Sequence, residues 1–186
     1  MNYVTYYDNA IPSELCDQII QKFESNPQQH EETKLDNHRS FTEINITKQK
    51  DWSNIQDILL DLMQYNLARY MREFNIDSKA WPEQVGYEMF RMKRYLPNDY
   101  DEFKFHVDVQ DYATARRFLV YFFYLNDVEE GGETAFQYNR NTEILAKVKP
   151  VKGRLLMFPP LWTHPHIGMK PISGPKYIIG GYLHYV

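Results

Sequence analysis

The sequence predicts a mainly β protein of the α+β class, a sandwich or jelly roll in which two helices lie on one sheet. Two helical patterns come first, and from Trp81 onward apolar residues recur at every second position or in short runs bounded by Gly, Pro, Asn and Asp. Aromatic residues are abundant, with 15 Tyr, 11 Phe and 3 Trp, and such residues favour strands. The length of 186 residues predicts a single domain, with residues 1–80 as a helical support region and residues 81–186 as the sheet core.

Both helices are predicted from apolar residues at helical spacing. The first starts at Ser13, which we expect to cap it, and its apolar face consists of Leu15, Ile19, Ile20 and Phe23. The second starts at the capping-box pattern Ser53-x-x-Gln56 and continues to about residue 74. Two amphipathic helices of this kind need a partner surface, and the sheet is the surface that the sequence offers.

A polar segment and a series of short strands complete the predicted elements. Residues 26–38 lack any period, which predicts a loop whose length makes it a candidate lid. Residues 118–125 form a continuous apolar run, which predicts a strand covered on both faces. The other predicted strands lie near residues 41–46, 87–95, 106, 136, 145–149, 154–158 and 177–185.

Composition and charge argue against several classes of function. The formal net charge is −4, with 21 Lys and Arg against 25 Asp and Glu, and no basic run is present, so we expect no nucleic-acid partner. Cys16 is the only cysteine, which leaves no intramolecular disulfide or thiolate metal cluster and is typical of a cytoplasmic protein. Neither a signal-peptide pattern nor an apolar stretch of about eighteen residues occurs, so we expect no membrane association.

One short motif is typical of a metal site. On a strand, His106 and Asp108 would point to the same face, about 6.6 Å apart, a spacing that suits two ligands of one metal ion. A histidine from another strand would complete two imidazoles and one carboxylate on one face of an octahedron, as in non-haem Fe(II) oxygenases. Both His164 and His166 fit that role by strand periodicity. The alternative interpretation is a surface strand with two polar residues on its solvent-exposed face.

Four motifs occur in order between residues 95 and 185: His106-Val107-Asp108; Tyr124-Leu125-Asn126-Asp127-x3-Gly131-Gly132-Glu133-Thr134-x-Phe136; Lys149-Pro150-x2-Gly153-Arg154; and His166-x9-Lys176. In this combination the sequence resembles the prolyl 4-hydroxylase-like branch of the Fe(II)/2-oxoglutarate-dependent dioxygenases. The resemblance implies a double-stranded β-helix, also called a jelly roll, with the N-terminal helices packed on one sheet. It implies Fe(II) as the metal and 2-oxoglutarate and O2 as cosubstrates, and it allows ascorbate as a further reductant.

The resemblance assigns the catalytic metal site to three residues. His106, Asp108 and His166 would be the iron ligands. His166 is preferred to His164 because only His166 lies ten residues before Lys176, the separation that the family uses. Three protein ligands leave three positions of an octahedron, which suffice for a bidentate 2-oxo acid and dioxygen.

The same resemblance assigns three residues to the cosubstrate. Lys176 would neutralise the distal carboxylate of 2-oxoglutarate as a point charge. Tyr124 would hydrogen-bond that carboxylate, and Tyr95 would reach the cosubstrate near the metal. Tyr182 occupies a position where many relatives carry tryptophan near the substrate. The sequence leaves open whether Tyr95 and Tyr182 contact the cosubstrate or the substrate.

The resemblance predicts an enzyme, a 2-oxoglutarate-dependent dioxygenase that hydroxylates prolyl residues in a peptide or protein and releases succinate and CO2. The same chemistry on a small molecule or a free amino acid is an alternative. A second alternative is a non-catalytic jelly-roll module that binds metal and 2-oxoglutarate as a sensor or scaffold. A third is a zinc hydrolase with the same three ligands and a bound water, which would not need Lys176 or Tyr124.

Overall fold

Two α-helices precede most of the sheet in the computed structural model, which describes residues 2–35 and 38–186. Helix α1 spans Ser13–Glu24 and helix α2 spans Ser53–Glu73, which confirms both predicted helices. The predicted serine caps are wrong, because each serine is already the first helical residue and makes no side-chain cap hydrogen bond. No helix within the described residues has the length and apolar character needed to cross a bilayer.

Twelve strands of the described chain form one antiparallel sheet that curls into a nearly closed, jelly-roll-like barrel, as the sequence predicts. The strands are β1 (Thr5–Tyr7), β2 (Glu31–Leu35), β3 (Arg39–Asn45), β4 (Val85–Tyr87), β5 (Arg91–Tyr95), β6 (Glu102–His106), β7 (Arg117–Tyr124), β8 (Thr134–Phe136), β9 (Ala146–Val148), β10 (Leu155–Phe158), β11 (His166–Gly168) and β12 (Lys176–Tyr185). Their order across the sheet is β1-β10-β7-β12-β5-β3-β6-β11-β8-β9, with β2 paired to β3 and β4 paired to β12.

Residues 1–80 contribute more than helices to the fold. The strand predicted near residues 41–46 is confirmed as β3, which is an interior strand between β5 and β6. The description of this region as a helical support region is incomplete, because β1 and β2 also belong to the sheet. The loop predicted for residues 26–38 also needs correction, because β2 pairs along its whole length with β3. The residues of β2 are polar and mostly exposed, so no apolar alternation marks the strand in the sequence. Residues 36–37 of the predicted loop lie outside the described residues.

Strand β7 faces two separate cores. Tyr121 and Phe123 point to the helices and pack in a core with buried residues of α1 and α2. Val120 and Tyr124 point the other way, into the barrel, where they pack in a second apolar cluster. The strand predicted for residues 118–125, covered on both faces, is therefore confirmed. The inner face of β7 forms part of the cavity wall described below.

The pairing register gathers residues from distant parts of the chain inside the barrel. Strand β11 pairs with β6 so that His166 lies opposite His106, and β12 pairs with β5 so that Lys176 lies opposite Tyr95. His166 and Lys176 do not lie on adjacent strands, because β5, β3 and β6 separate β11 from β12. The two side chains line one cavity because the sheet curls and both point to its interior.

Candidate active site

Three side chains converge inside the barrel at the end of β6. His106 is the last residue of β6, and His166 is the first residue of β11. Nε2 of His106 is 3.7 Å from Oδ1 of Asp108, Nε2 of His166 is 3.5 Å from Oδ2, and the three ligand atoms lie within 4.8 Å of one another. The prediction that His106 and Asp108 share one face of a strand is wrong in detail, because β6 ends before Asp108. The Asp108 N–H donates instead to the carbonyl of Pro160 at 3.1 Å.

Hydrogen bonds fix both histidines in the tautomer that a metal ligand requires. Nδ1 of His106 is 2.7 Å from the carbonyl oxygen of Lys104, and Nδ1 of His166 is 3.1 Å from that of His164. Because a carbonyl oxygen only accepts, each Nδ1 carries the proton and each Nε2 presents a lone pair to the site. Oδ2 of Asp108 is buried and has no hydrogen-bond partner among the described residues. This donor set fits a divalent metal ion that takes nitrogen and oxygen ligands.

The surroundings keep the His106 imidazole neutral and oriented. Burial lowers the pKa of His106 well below its ordinary value, and the neighbouring His166 lowers it further. The ring of Phe103 stacks on the His106 ring, with the ring centres 3.4 Å apart and the planes inclined by 5°. A neutral imidazole held in one orientation presents its lone pair without first losing a proton.

Tyr182 and Arg117 position the carboxylate of Asp108. The Tyr182 hydroxyl donates to Oδ1 of Asp108 at 2.7 Å, and burial raises the pKa of Tyr182, so the hydroxyl remains a donor. The Arg117 guanidinium lies 3.9 Å from the centre of the Tyr182 ring and is paired with Glu88 at 2.8 Å. Arg117 also donates to the backbone carbonyl of Asp108 at 3.0 Å. The sequence left the role of Tyr182 open, because its contact with Asp108 depends on the register of strands distant in the chain.

The structure separates His166 from His164, which strand periodicity does not distinguish. Strand β11 begins at His166, so His164 precedes the strand. Nε2 of His164 is 2.8 Å from the carbonyl oxygen of Asn2, and its Nδ1 is 2.8 Å from the hydroxyl oxygen of Thr163. Both ring nitrogens of His164 therefore have partners outside the cluster, and only His166 joins His106 and Asp108.

Two cavities meet at this cluster. The smaller has a volume of about 70 Å³ and is lined by Lys176 and Tyr95 as well as by the cluster. The larger has a volume of about 340 Å³ and is lined mainly by polar and charged side chains. The residues common to both cavities are Lys93, Phe103, His106, Asp108 and Tyr182. A ligand in either cavity would thus lie next to the potential metal ligands.

Lys176 is a buried amine in the wall of the smaller cavity. It is only 2% exposed, and its Nζ lies 5.2 Å from the centre of the Tyr95 ring and 5.7 Å from that of the Tyr124 ring. Burial lowers the pKa of Lys176 to about 7, while Glu133 opposes the shift and Lys93 adds to it. Within the described ranges this amine has neither a hydrogen bond nor an ion pair. An anionic group on a ligand would provide the missing partner.

Thr134 and Tyr124 form a hydrogen-bonded pair near Lys176. The Tyr124 hydroxyl oxygen is 2.7 Å from Oγ1 of Thr134, and both side chains are buried. Thr134 lines the smaller cavity together with Tyr95, and Tyr124 contacts this wall through Thr134. The hydrogen bond expected from Tyr124 to the carboxylate of 2-oxoglutarate stays a prediction. Sequence reasoning assigned no role to Thr134, although it belongs to the motif that ends at Phe136. The signal was present in that motif, but the contact depends on how β8 packs against β7.

Gly132 lets the backbone pass close to Lys176. Its φ is +74°, and a Cβ at this position would lie 3.4 Å from Cδ of Lys176 and 3.3 Å from Cγ of Pro150. A left-handed backbone in such a close approach favours glycine over any other residue. Gly132, which belongs to the second of the four motifs, therefore shapes the wall next to the lysine.

The fold is similar to that of several solved prolyl hydroxylases. The viral collagen prolyl hydroxylase of Paramecium Bursaria Chlorella virus-1, solved with 2OG, is 20% identical, with a TM-score of 0.66 and coverage of 100% of this chain and 97% of that one. A Trichoplax adhaerens prolyl hydroxylase, in complex with a hypoxia inducible factor peptide fragment, is 18% identical, with a TM-score of 0.77 and coverage of 99% and 84%. A Pseudomonas putida prolyl-4-hydroxylase is 16% identical, with a TM-score of 0.67 and coverage of 98% and 92%. At these identities the likeness shows the fold.

The sequence itself matches a family model. No curated protein matches the chain, but the model described as the 2OG-Fe(II) oxygenase superfamily matches residues 90–184, just over half of it. That range contains the three clustered side chains and Lys176, and it covers the strands from β5 to β12 except the last residue of β12. The chain therefore belongs to the 2OG-Fe(II) oxygenase superfamily and is a 2-oxoglutarate-dependent dioxygenase with a prolyl-hydroxylase-like fold.

Proposed function

We propose that this dioxygenase hydroxylates prolyl residues in a peptide or protein. In the overall reaction one oxygen atom of O2 is inserted into a substrate C–H bond, and the other enters succinate as 2-oxoglutarate loses CO2. The observation that carries the proposal is the placement of His106, Asp108 and His166 in one cavity with the buried Lys176. The fold's likeness to prolyl hydroxylases, one of them solved with a peptide fragment, supports a peptide substrate.

The three clustered side chains would hold Fe(II) through two Nε2 atoms and one carboxylate oxygen. When bound there, Fe(II) supplies the redox chemistry that activates dioxygen and oxidises 2-oxoglutarate. The protein orients the ligands: backbone carbonyls fix the rings of His106 and His166, and Tyr182 engages Oδ1 of Asp108 so that Oδ2 stays free. Partners of this kind typically change metal affinity by about 10–100-fold when they are removed.

The cosubstrate would bind in the smaller cavity, with its distal carboxylate paired to Lys176. Tyr95 and Thr134 line the same cavity, and their hydroxyl groups would donate hydrogen bonds to this carboxylate. Tyr124 would orient Thr134 through their 2.7 Å hydrogen bond. A zinc hydrolase has no need of a desolvated lysine at this position, so Lys176 favours a dicarboxylate-using enzyme over a hydrolase.

A free amino acid or another small molecule is the second candidate substrate. The larger cavity is lined by four basic side chains, Arg39, Arg91, Lys93 and Arg117. Arg91 and Arg117 are paired with Glu43 and Glu88, but Arg39 and Lys93 have no carboxylate partner among the described residues, and a neutral prolyl ring would offer them none. These basic groups favour a substrate that carries an anionic group, whether it is a small molecule or a peptide with an acidic neighbour.

The proposal predicts a spectroscopic change before any substrate is known. Anaerobic addition of Fe(II) and 2-oxoglutarate should produce the weak visible metal-to-ligand charge-transfer band of a 2-oxo acid bound to ferrous iron. Succinate formation is then measured in air, with and without ascorbate, over a panel of proline-rich peptides and free amino acids. If the band is absent from metal-replete protein, the proposed function is wrong.

A further inference from the structure

Lys93 is a basic side chain at the junction of the two cavities. It lies on β5 opposite Ile178 of β12, two residues before Tyr95. Lys93 lines both cavities, whereas Tyr95 and Lys176 line only the smaller one. Its Nζ lies 4.6 Å from the centre of the Phe41 ring. In the parts of the chain that the structure describes, no carboxylate oxygen comes within 4.0 Å of this amine. Lys93 is therefore an amine held against aromatic rings, with no carboxylate partner among the described residues.

The carboxylates of Glu43 and Asp108, which act on the charge of Lys93, are hydrogen-bonded to other groups. Oε1 of Glu43 accepts from Nη1 of Arg91 at 2.9 Å and from the Thr33 hydroxyl at 3.3 Å. Asp108 belongs to the potential metal site and accepts from Tyr182. Burial lowers the pKa of Lys93, an effect that Glu43 and Asp108 only partly offset. A charged amine in such surroundings gains most from an anion delivered by a ligand.

Lys93 lies close to the potential metal ligands. Its Nζ lies 5.9 Å from the centre of the Phe103 ring, which stacks on His106 at 3.4 Å. The guanidinium of Arg39 lies 5.6 Å from the centre of the same ring and is also without a partner among the described residues. A small organic acid can therefore contact these cations while one of its carbon atoms lies beside the metal ligands. The other two basic groups of the larger cavity are paired, Arg91 with Glu43 and Arg117 with Glu88.

We infer that the substrate of this dioxygenase carries a carboxylate that pairs with Lys93, and that this pair sets which C–H bond faces the metal site. The inference rests on the proposed function and adds the class of substrate. Lys176 provides a separate amine for 2-oxoglutarate, so Lys93 is available to the substrate. The carboxylate belongs either to a free amino acid or to an acidic residue beside the oxidised residue of a peptide, and the same site chemistry serves both.

The test compares acids with their neutral amides. L-proline is paired with L-prolinamide, other free amino acids are paired with their amides, and a capped peptide containing Pro-Asp is paired with its Pro-Asn counterpart. Binding is measured by calorimetry on anaerobic protein loaded with Fe(II) and 2-oxoglutarate, and succinate formation is measured in air. The variants are Lys93→Met and Lys93→Arg, with Lys147→Met as the control because Lys147 is an exposed lysine of β9.

We expect at least one acid to bind wild-type protein about tenfold or more tightly than its amide, because the amide leaves Lys93 unpaired. The preference should fall to about twofold or less in Lys93→Met, and it should persist in Lys93→Arg and Lys147→Met. The acid–amide pair that shows this preference identifies the substrate as a free amino acid or as a peptide with an acidic residue. The inference is overturned if no acid binds, if amides bind equally well, or if Lys93→Met keeps the preference.

The test separates this inference from the proposed function. A normal charge-transfer band with 2-oxoglutarate, together with turnover of a neutral amide as efficient as that of its acid, would overturn the role of Lys93 and leave the dioxygenase function intact. Loss of the band in Lys93→Met but not in Lys147→Met would assign Lys93 to the cosubstrate and would also overturn the inference. Absence of the band in wild-type protein would instead contradict the proposed function itself.

Discussion

The cluster of His106, Asp108 and His166 lines the same cavity as the buried Lys176, but the two differ in how many of their polar atoms have hydrogen-bond partners. In the cluster, the Nδ1 atoms of His106 and His166 are hydrogen-bonded to backbone carbonyls, and Asp108 is held by Tyr182. Among the described residues, the atoms of the cluster that lack hydrogen-bond partners are those that would hold a metal ion. Lys176, in contrast, is a desolvated amine without any partner in the described residues, and burial lowers its pKa to about 7.

This difference shows two ways of preparing a site for its ligand. The two imidazoles are oriented in advance by neutral hydrogen bonds to backbone carbonyls, which impose little cost on the folded state. The lysine costs folding free energy, because an amine with an ordinary pKa in the unfolded chain must give up hydration on folding. Truncating the cluster should therefore remove metal binding, whereas truncating the lysine should remove 2-oxoglutarate binding and stabilise the fold.

The largest expected effect concerns His166 and its near neighbour His164. His166→Ala removes one of two imidazole donors and should abolish iron retention and 2-oxoglutarate turnover. His164→Ala is the matched control, because its ring nitrogens contact Asn2 and Thr163 outside the cluster, and it should retain iron. Bound iron is measured in both purified variants after identical anaerobic loading. Iron loss in His164→Ala with retention in His166→Ala would place the ligand at residue 164.

The next effect concerns Lys176. Removing one partner of a desolvated charge pair costs about 2–5 kcal/mol, so Lys176→Met should weaken 2-oxoglutarate binding at least about tenfold. The same change should raise the free energy of unfolding of the cosubstrate-free protein at pH 7 by roughly 1–3 kcal/mol, because a neutral side chain carries no desolvation penalty. Calorimetry and denaturant unfolding measure the two quantities.

Lys147→Met, at an exposed lysine of β9, is the control for Lys176→Met and should change neither quantity. Iron retention should also be unchanged in Lys176→Met, because Lys176 is not among the clustered side chains. A variant that lost 2-oxoglutarate affinity and stability together would show that Lys176 contributes to the fold, and the contrast between the two parts of the cavity would be wrong. Unchanged 2-oxoglutarate affinity would remove Lys176 from the cosubstrate site.

Much of this architecture could be predicted because its signals are local in the sequence. Alternation and apolar runs located β7 and β12, and helical spacing located α1 and α2. The His106-x-Asp108 motif and the step from His166 to Lys176, which the family resemblance pointed out, identified four residues that the structure brings into one cavity. These signals needed no knowledge of which strands pair.

The parts that could not be predicted depend on pairing between distant strands. Arg117 reaches Tyr182 and Asp108 only because β7 and β12 are adjacent. Lys93 was not considered, because a lone lysine in a predicted strand gives no sign of which face is inside. Strand β2 was interpreted as a loop, because its polar residues pair with β3 without burying an apolar face. Register, rather than local pattern, determines each of these features.

The smallest expected effect is the pH dependence of 2-oxoglutarate binding. Lys176 has a pKa of about 7 because of burial, with Glu133 raising it and Lys93 lowering it. Below pH 7 the amine is already charged, so its share of the affinity should be constant. Above pH 7 the neutral amine must take up a proton when the carboxylate binds, so affinity should fall by up to about tenfold per pH unit.

Calorimetry of anaerobic, Fe(II)-loaded protein in two buffers of different ionisation enthalpy measures this proton uptake directly. The uptake should approach one proton well above pH 7 and should vanish below it. In Lys176→Met the affinity is low at every pH, and binding should take up no proton, because methionine does not titrate. The clustered histidines should not reproduce this signal, since in Fe(II)-loaded protein their Nε2 lone pairs would be occupied by the metal. A wild-type affinity that stays flat above pH 7, or proton uptake that persists in Lys176→Met, would show that the amine of Lys176 does not pair with the cosubstrate.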